Sequence, residues 1–194
     1  MIEQLINEME VYAQENAIPI MQKEGIQFVQ KCVDTYQIKT ILEIGTAIGY
    51  SAIQMCRMHE DIHVVSVERD EKRYEQAVMN VKKAGMEDRV KLILADALEV
   101  EIEGKYDLIF IDAAKAQYIR FFEKYEMNLE EDGIILSDNL KFHGFVEHPE
   151  LTTNRNTRQL VRKIAHYVDW LKENENYETI FYDLGDGVAI SRRK

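Results

Sequence analysis

The sequence predicts an α/β fold of Rossmann-like type: a mostly parallel, seven-stranded sheet with helices on both faces and an antiparallel hairpin at its C-terminal end. Three observations predict it. From residue 40 onward, short apolar runs alternate with amphipathic stretches, the strand–helix rhythm of a parallel sheet built by crossovers. The first run, Ile41-Leu42-Glu43-Ile44, breaks at Gly45 and passes directly into a helical pattern, as does the first βα turn of a nucleotide-binding sheet. The last two runs, Tyr177–Tyr182 and Gly187–Arg192, are separated only by Asp183-Leu184-Gly185-Asp186. That gap is too short for a crossover helix, so the two strands pair antiparallel.

Taken in order, helical patterns fill Ile2–Asn16 and Gly25–Tyr36, giving a helical cap over residues 1–37 ahead of a core over 38–194. The core begins with strand Thr40–Ile44 and helix Ser51–Met58, for which Ser51 is a natural N-cap. Strand His63–Val67, helix Asp70–Ala84 and strand Val90–Leu94 continue the rhythm, followed by strand Tyr106–Ile111, helix Gln117–Tyr125 and strand Gly133–Ser137. A loop near Asn139–Glu150 and a long helix, Thr153–Asn174, lead to the hairpin. With 194 residues, two prolines and no Gly/Ser-rich run, the chain has the size of one well-cored domain and no place for a flexible linker.

Composition narrows the function classes. Glu3, Glu8 and Glu10 stand where a targeting segment would carry basic residues, and no window reaches ~18 consecutive apolar residues, so a soluble, cytoplasmic protein without membrane contact is expected. Cys32 and Cys56 lie in apolar helical patterns, the setting of reduced, buried cysteines. A net charge of −11 argues against broad, non-specific nucleic-acid binding. A local basic strip nevertheless exists: Arg155, Arg158, Arg162 and Lys163 fall close together on one helix, and the chain ends Arg192-Arg193-Lys194. Both an RNA-binding strip and a solvated helix face fit that pattern.

The chemistry is concentrated at strand ends. The glycines after the first strand stand at 45 and 49, whereas a G-x-G-x-x-G phosphate cradle starting at Gly45 needs glycine where Ala47 and Tyr50 stand. A dinucleotide oxidoreductase is therefore disfavoured. Glu43 puts a carboxylate into the turn, which repels phosphate and suits a ligand carrying a sulfonium and an amino group, as S-adenosylmethionine does. Glu68 follows at about the ~20-residue remove where an acid grips ribose hydroxyls. Asp96, followed by Ala97-Leu98, holds the rim position suited to an adenine amino group, with a helix cap as the competing role. Asp112 ends one strand and Asp138-Asn139 the next, so two carboxylates and an amide oxygen can converge on one ion. That donor set suits Mg²⁺, with Mn²⁺ also accommodated, although an Asx turn competes for Asp138-Asn139. His143 and His148 share a loop without zinc-like spacing. Lys115, three residues after Asp112, is the candidate general base; an exposed lysine at a helix start is the alternative. A regulator that binds cofactor without catalysis would leave Lys115 and the acidic set dispensable.

These strings resemble the cation-dependent O-methyltransferases related to catechol and caffeoyl-CoA O-methyltransferases, and among them the bacterial tRNA 5-hydroxyuridine methyltransferases. The similarity runs from about Glu15 to Arg192 through Ile18-Pro19-Ile20-Met21, the segment from Leu42 to Ile53, Phe110-Ile111-Asp112-Ala113-Ala114-Lys115, Ser137-Asp138-Asn139 and the segment from Leu184 to Ser191. The resemblance implies a class I methyltransferase fold and a magnesium site at Asp112, Asp138 and Asn139. It implies a basic Lys115, and cofactor contacts from Met21, Glu43, Gly45, Ser51, Glu68, Asp96, Ala97 and Asp112. It also implies a homodimer and, for the subgroup, the tRNA anticodon loop as substrate. Relatives carry a further helical segment ahead of the one that begins here at Ile2, associated with covering the active site or the partner subunit. The chemistry of the acceptor agrees: 5-hydroxyuridine sets a ring hydroxyl beside the O4 carbonyl, two adjacent oxygens able to chelate a cation as a catechol does. An unpaired anticodon base suits an acidic protein with one basic strip better than a duplex.

Overall fold

A computed structural model describes residues 2–194. Seven strands, β1 (Thr40–Ile44), β2 (His63–Glu68), β3 (Val90–Leu94), β4 (Tyr106–Ile111), β5 (Leu129–Ser137), β6 (Tyr177–Tyr182) and β7 (Val188–Arg193), form one sheet in the order β3-β2-β1-β4-β5-β7-β6. The five N-terminal strands pair in parallel, and β7 lies antiparallel to both β5 and β6. The chain steps outward from β1 through β2 to β3, then returns to the other side of β1 with β4. This reversal opens a crevice beyond the carboxyl ends of β1 and β4, where open α/β sheets bind ligands.

The strands are apolar because both faces are covered. Leu108, Ile109, Phe110 and Ile111 are all fully buried, the near-continuous run expected of an interior parallel strand. Alternate residues feed two cores. Ile41, Leu108 and Phe110 pack under helices α1 (Ile2–Glu15), α2 (Lys23–Thr35), α3 (Tyr50–Cys56) and α4 (Glu71–Ala84). Leu42, Ile44, Ile109 and Ile111 pack under α5 (Tyr118–Tyr125) and α6 (Arg155–Glu173). Cys32 and Cys56 are buried free thiols. Among the described residues no helix is long and apolar enough to cross a membrane.

The element boundaries bring three corrections. Ser51 is not an N-cap: α3 starts at Tyr50, and its cap is Gly49 at φ 83°, a left-handed conformation that glycine adopts without steric cost. Strand β5 begins at Leu129 rather than Gly133, because exposed Glu130, Glu131 and Asp132 lengthen it beyond its apolar half, past a register shift between Tyr106 and Leu108. Helix α6 starts at Arg155, where the Asn154 side chain accepts from the N–H groups of Asn156 and Thr157. Capping by Asp70, which accepts from Arg73 N–H at 3.0 Å, fixes the start of α4.

Candidate active site

A cleft of about 280 Å³ opens at the carboxyl rim of β1, β2 and β4. Its floor depends on Gly45. At φ 103° the Gly45 backbone passes so close to β4 that a Cβ would stand 2.1 Å from the Asp112 carbonyl oxygen. No side chain fits there, so the two strand ends meet beneath the ligand space. Met21 and its neighbours Pro19 and Ile20 also line the cleft. The segment is tied down through Glu10, which accepts from Tyr50 Oη at 2.9 Å and pairs with Lys23 at 3.2 Å.

Glu68 reaches into the cleft from the end of β2. One carboxylate oxygen accepts from Ala47 N–H at 2.8 Å; the other accepts from Arg69 and Asp70 N–H, both at 2.9 Å. Three main-chain donors thus fix its orientation and leave acceptor capacity toward the cleft. Asp96 and Ala97 also line the cleft. Asp96 accepts from Leu98 N–H at 2.8 Å, holding a turn rather than capping a helix, and also lines the cleft. Arg69, Arg73, Gln117 and Phe121 join the lining and were missed by sequence reasoning: nothing in their spacing distinguishes them from surface or core residues.

Glu43 departs from expectation. It is fully buried beneath the cleft rather than facing it, and accepts hydrogen bonds from the hydroxyls of Ser51 and Ser66. Thr46 Oγ1 and Ser66 Oγ lie 2.6 Å apart, extending the network. Burial, only partly opposed by the two serine hydrogen bonds, pushes the carboxyl up to about 8. A group in that state is largely protonated at neutral pH and offers no charge to a cationic ligand. Its part is to brace Ser51, which does line the cleft.

At the far end, Asp112 and Asn139 line the cleft, and Asp138 lies just behind them, 4% exposed. Asn139 Nδ2 donates to Asp112 Oδ1 at 3.2 Å and to Asp138 Oδ2 at 2.9 Å, so the amide bridges the two carboxylates. Asn139 adopts φ 64°, a left-handed conformation that asparagine tolerates better than most residues. Burial raises the pKa of both aspartates; the neighbouring Asp112 charge raises Asp138 further, while Lys115 acts in the opposite direction on each. Two buried carboxylates forced together create a demand for positive charge. In this arrangement the Asn139 amide nitrogen, not its oxygen, faces the two carboxylates. A half-turn of that amide would present Oδ1 instead, and the three side chains would then form an all-oxygen set of the kind that suits a hard cation such as Mg²⁺.

Lys115 opens a short 3₁₀ turn, Lys115–Gln117, and its Nζ lies 5.9 Å from the Phe142 ring centroid. Behind the acidic set stand two tyrosines that spacing marks only as core residues. Tyr118 Oη donates to the Asp138 carbonyl at 3.0 Å, and Tyr167 Oη lies 2.7 Å from Ser137 Oγ. The two rings pack edge to face at 5.3 Å, tying α5 and α6 to the turn that bears Asp138 and Asn139.

The basic strip stays together in part. Arg155, Arg158, Arg162 and Lys163 are all exposed on α6, whose buried face is Val161, Ile164, Tyr167 and Leu171. None of the four pairs with a carboxylate among the described residues, although Arg158 Nε donates to Thr152 O at 2.8 Å. Helix α6 abuts the 3₁₀ turn that carries Lys115. The C-terminal arginines are engaged elsewhere: Arg192 lies 5.5 Å over the Tyr36 ring, and Arg193 donates to the carbonyls of Glu126, Leu129 and Glu130.

Comparison with known proteins places this geometry. The O-methyltransferase family model matches residues 1–194. A solved structure of a caffeoyl-CoA O-methyltransferase candidate from Staphylococcus aureus is 38% identical, superposes with a TM-score of 0.93, and covers 97% of this chain and 92% of its own. The S-adenosylhomocysteine-bound methyltransferase PaMTH1 from Podospora anserina is 26% identical with a TM-score of 0.89, covering 98% and 88%. Among curated sequences, a flavonoid 3′,5′-methyltransferase from Vitis vinifera is 28% identical over 183 residues, 88% of this chain and 76% of its own. With the Gly45 turn, the acid at the end of β2 and a match along its whole length, this chain belongs to the class I O-methyltransferase family, in its caffeoyl-CoA O-methyltransferase-like group.

Proposed function

We propose that this S-adenosylmethionine-dependent O-methyltransferase uses a bound Mg²⁺ to methylate the 5-hydroxyl of 5-hydroxyuridine at the wobble position of tRNA, giving 5-methoxyuridine. Two observations carry the reading: Asp112, Asn139 and Lys115 line one cleft with Asp138 just behind, and helix α6, which bears an exposed row of cations, abuts the turn that carries Lys115.

S-adenosylmethionine supplies an electrophilic methyl group, and a hard cation held by Asp112, Asp138 and Asn139 supplies Lewis-acid polarisation of the acceptor oxygens. The chain's own residues do the rest. Glu68, fixed by three main-chain donors, takes ribose hydroxyls, and Asp96 takes the adenine amino group. Lys115 Nζ accepts the proton of the acceptor hydroxyl, which makes that oxygen a competent nucleophile. The Phe142 ring, 5.9 Å from Lys115 Nζ, helps to hold that amine in place. A cleft whose lining includes both Glu68 and Lys115 would bring cofactor and acceptor together and so turn a bimolecular encounter into an oriented one.

A second reading has its own support. A small phenolic acceptor with neighbouring hydroxyls, of the caffeoyl-CoA or catechol type, needs the same cleft and acidic set, and the 38% identical Staphylococcus aureus protein carries a caffeoyl-CoA assignment. Arg155, Arg158 and Arg162 discriminate tRNA from a free catechol, which has no phosphates for them to meet; a CoA thioester does carry phosphates, so the catechol is the substrate to compare. The test assays the double variant Arg158→Glu, Arg162→Glu on both substrates. For tRNA acting through this face, methylation of hydroxyuridine-containing tRNA falls and its salt dependence flattens by about one log unit of slope per lost phosphate contact, while catechol turnover is retained. Unchanged tRNA methylation removes the RNA reading's structural support and leaves the small-phenol reading in its place.

A further inference from the structure

The segment that follows the acidic set is bent in an unusual way. Asn139 (φ 64°), Phe142 (φ 46°), His143 (φ 58°) and Gly144 (φ 78°) all occupy left-handed conformations within six residues, and three of the four carry side chains. For residues that carry a Cβ such positions are strained and persist only where their surroundings over-determine them.

The surroundings here are the turn between β6 and β7. Leu140 N–H donates to Gly187 O at 2.9 Å, and Lys141 N–H donates to Asp186 O at 2.7 Å. The Asp186 side chain, only 10% exposed, adds a third clamp: its Oδ1 accepts from His143 N–H. Its Oδ2 is buried without a hydrogen-bond partner, 3.7 Å from His143 Nδ1. Gly187 completes the fit, since a Cβ there would stand 2.7 Å from Lys141 Cγ and 3.1 Å from Lys141 N. A buried aspartate is an expensive way to hold a loop unless the loop's geometry matters. The loop in question runs from Asn139, which bridges the two aspartates, to Phe142, which faces Lys115.

We propose that Asp186 is a positioning residue for the acceptor side of the site: by hydrogen bonding it clamps the 140–144 segment and so keeps Asn139 and Phe142 in place. The inference rests on the reading of Asp112, Asp138 and Asn139 as a cation site. Partners outside the ligand shell that orient metal ligands typically contribute roughly 10–100-fold in metal affinity.

The test uses the full chain and two readouts. Free Mn²⁺, followed by its electron paramagnetic resonance signal, measures cation binding. Amide exchange of His143 and Lys141 measures the clamp without any metal. Asp186→Ala is expected to speed exchange of both amides and weaken Mn²⁺ binding at least tenfold, with S-adenosylhomocysteine affinity unchanged. Asp186→Asn, which keeps an acceptor for His143 N–H, is expected to restore most of both. Gly187→Ala, which presses on Lys141 from the same turn, is expected to loosen the segment and weaken Mn²⁺ binding independently of any carboxylate. His143→Ala, which keeps the N–H, is expected to behave as wild type. Wild-type exchange rates in Asp186→Ala, or an Asp186→Asn protein as impaired as Asp186→Ala, would overturn the clamp. Absence of Mn²⁺ binding by the wild-type chain, with the exchange pattern as expected, would overturn the cation site and leave the clamp standing.

Discussion

Replacing Glu43 with glutamine should change the pH dependence of folding in a way that fixes the state of this carboxyl. In the folded chain its pKa lies near 8, against an ordinary value of 4.5. Between those values the native state holds a proton that the unfolded chain has released. Stability attributable to Glu43 is therefore fully present below about 4.5, falls as pH rises, and levels off above about 8. At about 1.4 kcal/mol per pH unit, the loss between pH 5 and pH 8 is roughly 4 kcal/mol. Glutamine does not titrate, so it removes the slope. It also replaces one of the two oxygens that meet Ser51 and Ser66 with an amide N–H₂ donor, at a cost of about 1 kcal/mol. Urea unfolding in half-unit steps from pH 4 to pH 8.5, on metal-free protein, should find Glu43→Gln less stable than wild type at pH 4. The curves cross at about pH 5, and the variant is more stable by about 3 kcal/mol at pH 8. The two variants share every other titrating group, so the difference isolates Glu43. A difference between the curves that stays constant with pH would refute the reasoning, for it would mean that Glu43 is ionised in the folded chain.

Removing the Lys115 amine by Lys115→Ala should slow single-turnover methyl transfer by about 10²–10⁴-fold, with S-adenosylhomocysteine affinity measured by calorimetry changed little; an unchanged rate would return Lys115 to the ranks of surface lysines. Excess chelator should abolish turnover, and added Mg²⁺ should restore it in wild type but not in Asp138→Ala. Because Asp138 lies behind the cleft lining, that variant should still bind S-adenosylhomocysteine.

The sheet was legible because its causes are local. Ile41, Leu42, Ile44 and the run from Leu108 to Ile111 are apolar on both faces, and a strand of that kind can stand only inside a covered parallel sheet. The four-residue gap between β6 and β7 likewise left one way to pair them. The cleft residues Met21, Gly45, Glu68, Asp96, Ala97 and Lys115 were legible from their positions at strand ends or from family likeness, and all line the cleft. Glu43 was misplaced for a definite reason. A strand residue's facing depends on one step of register, and the sequence cannot tell a carboxylate that looks into the turn from one that looks beneath it. Ser51 was misread in the same way, because a hydroxyl at a helix start serves equally as a cap or as a donor to the strand before it. Tyr118 and Tyr167 carried no readable signal, and Asp186 was legible only as part of the turn segment that carries the family likeness. Their roles come from partners 20, 30 and 43 residues away in sequence, which only the folded chain brings near.

Strand β7 follows every other strand along the chain yet lies inside the sheet, between β5 and β6. Until it is in place, Ile135, Leu136 and Ser137 present an open edge with unpaired amide and carbonyl groups, a template for pairing with another chain. The turn that brings β7 in is also the one whose Asp186 and Gly187 hold the segment after Asn139. During synthesis, then, the half of the site that receives cofactor rests on strands already made, while the half that receives the acceptor waits for the last insertion. A chain caught before that step would have the strands under the cofactor half already made and nothing yet to hold the segment after Asn139.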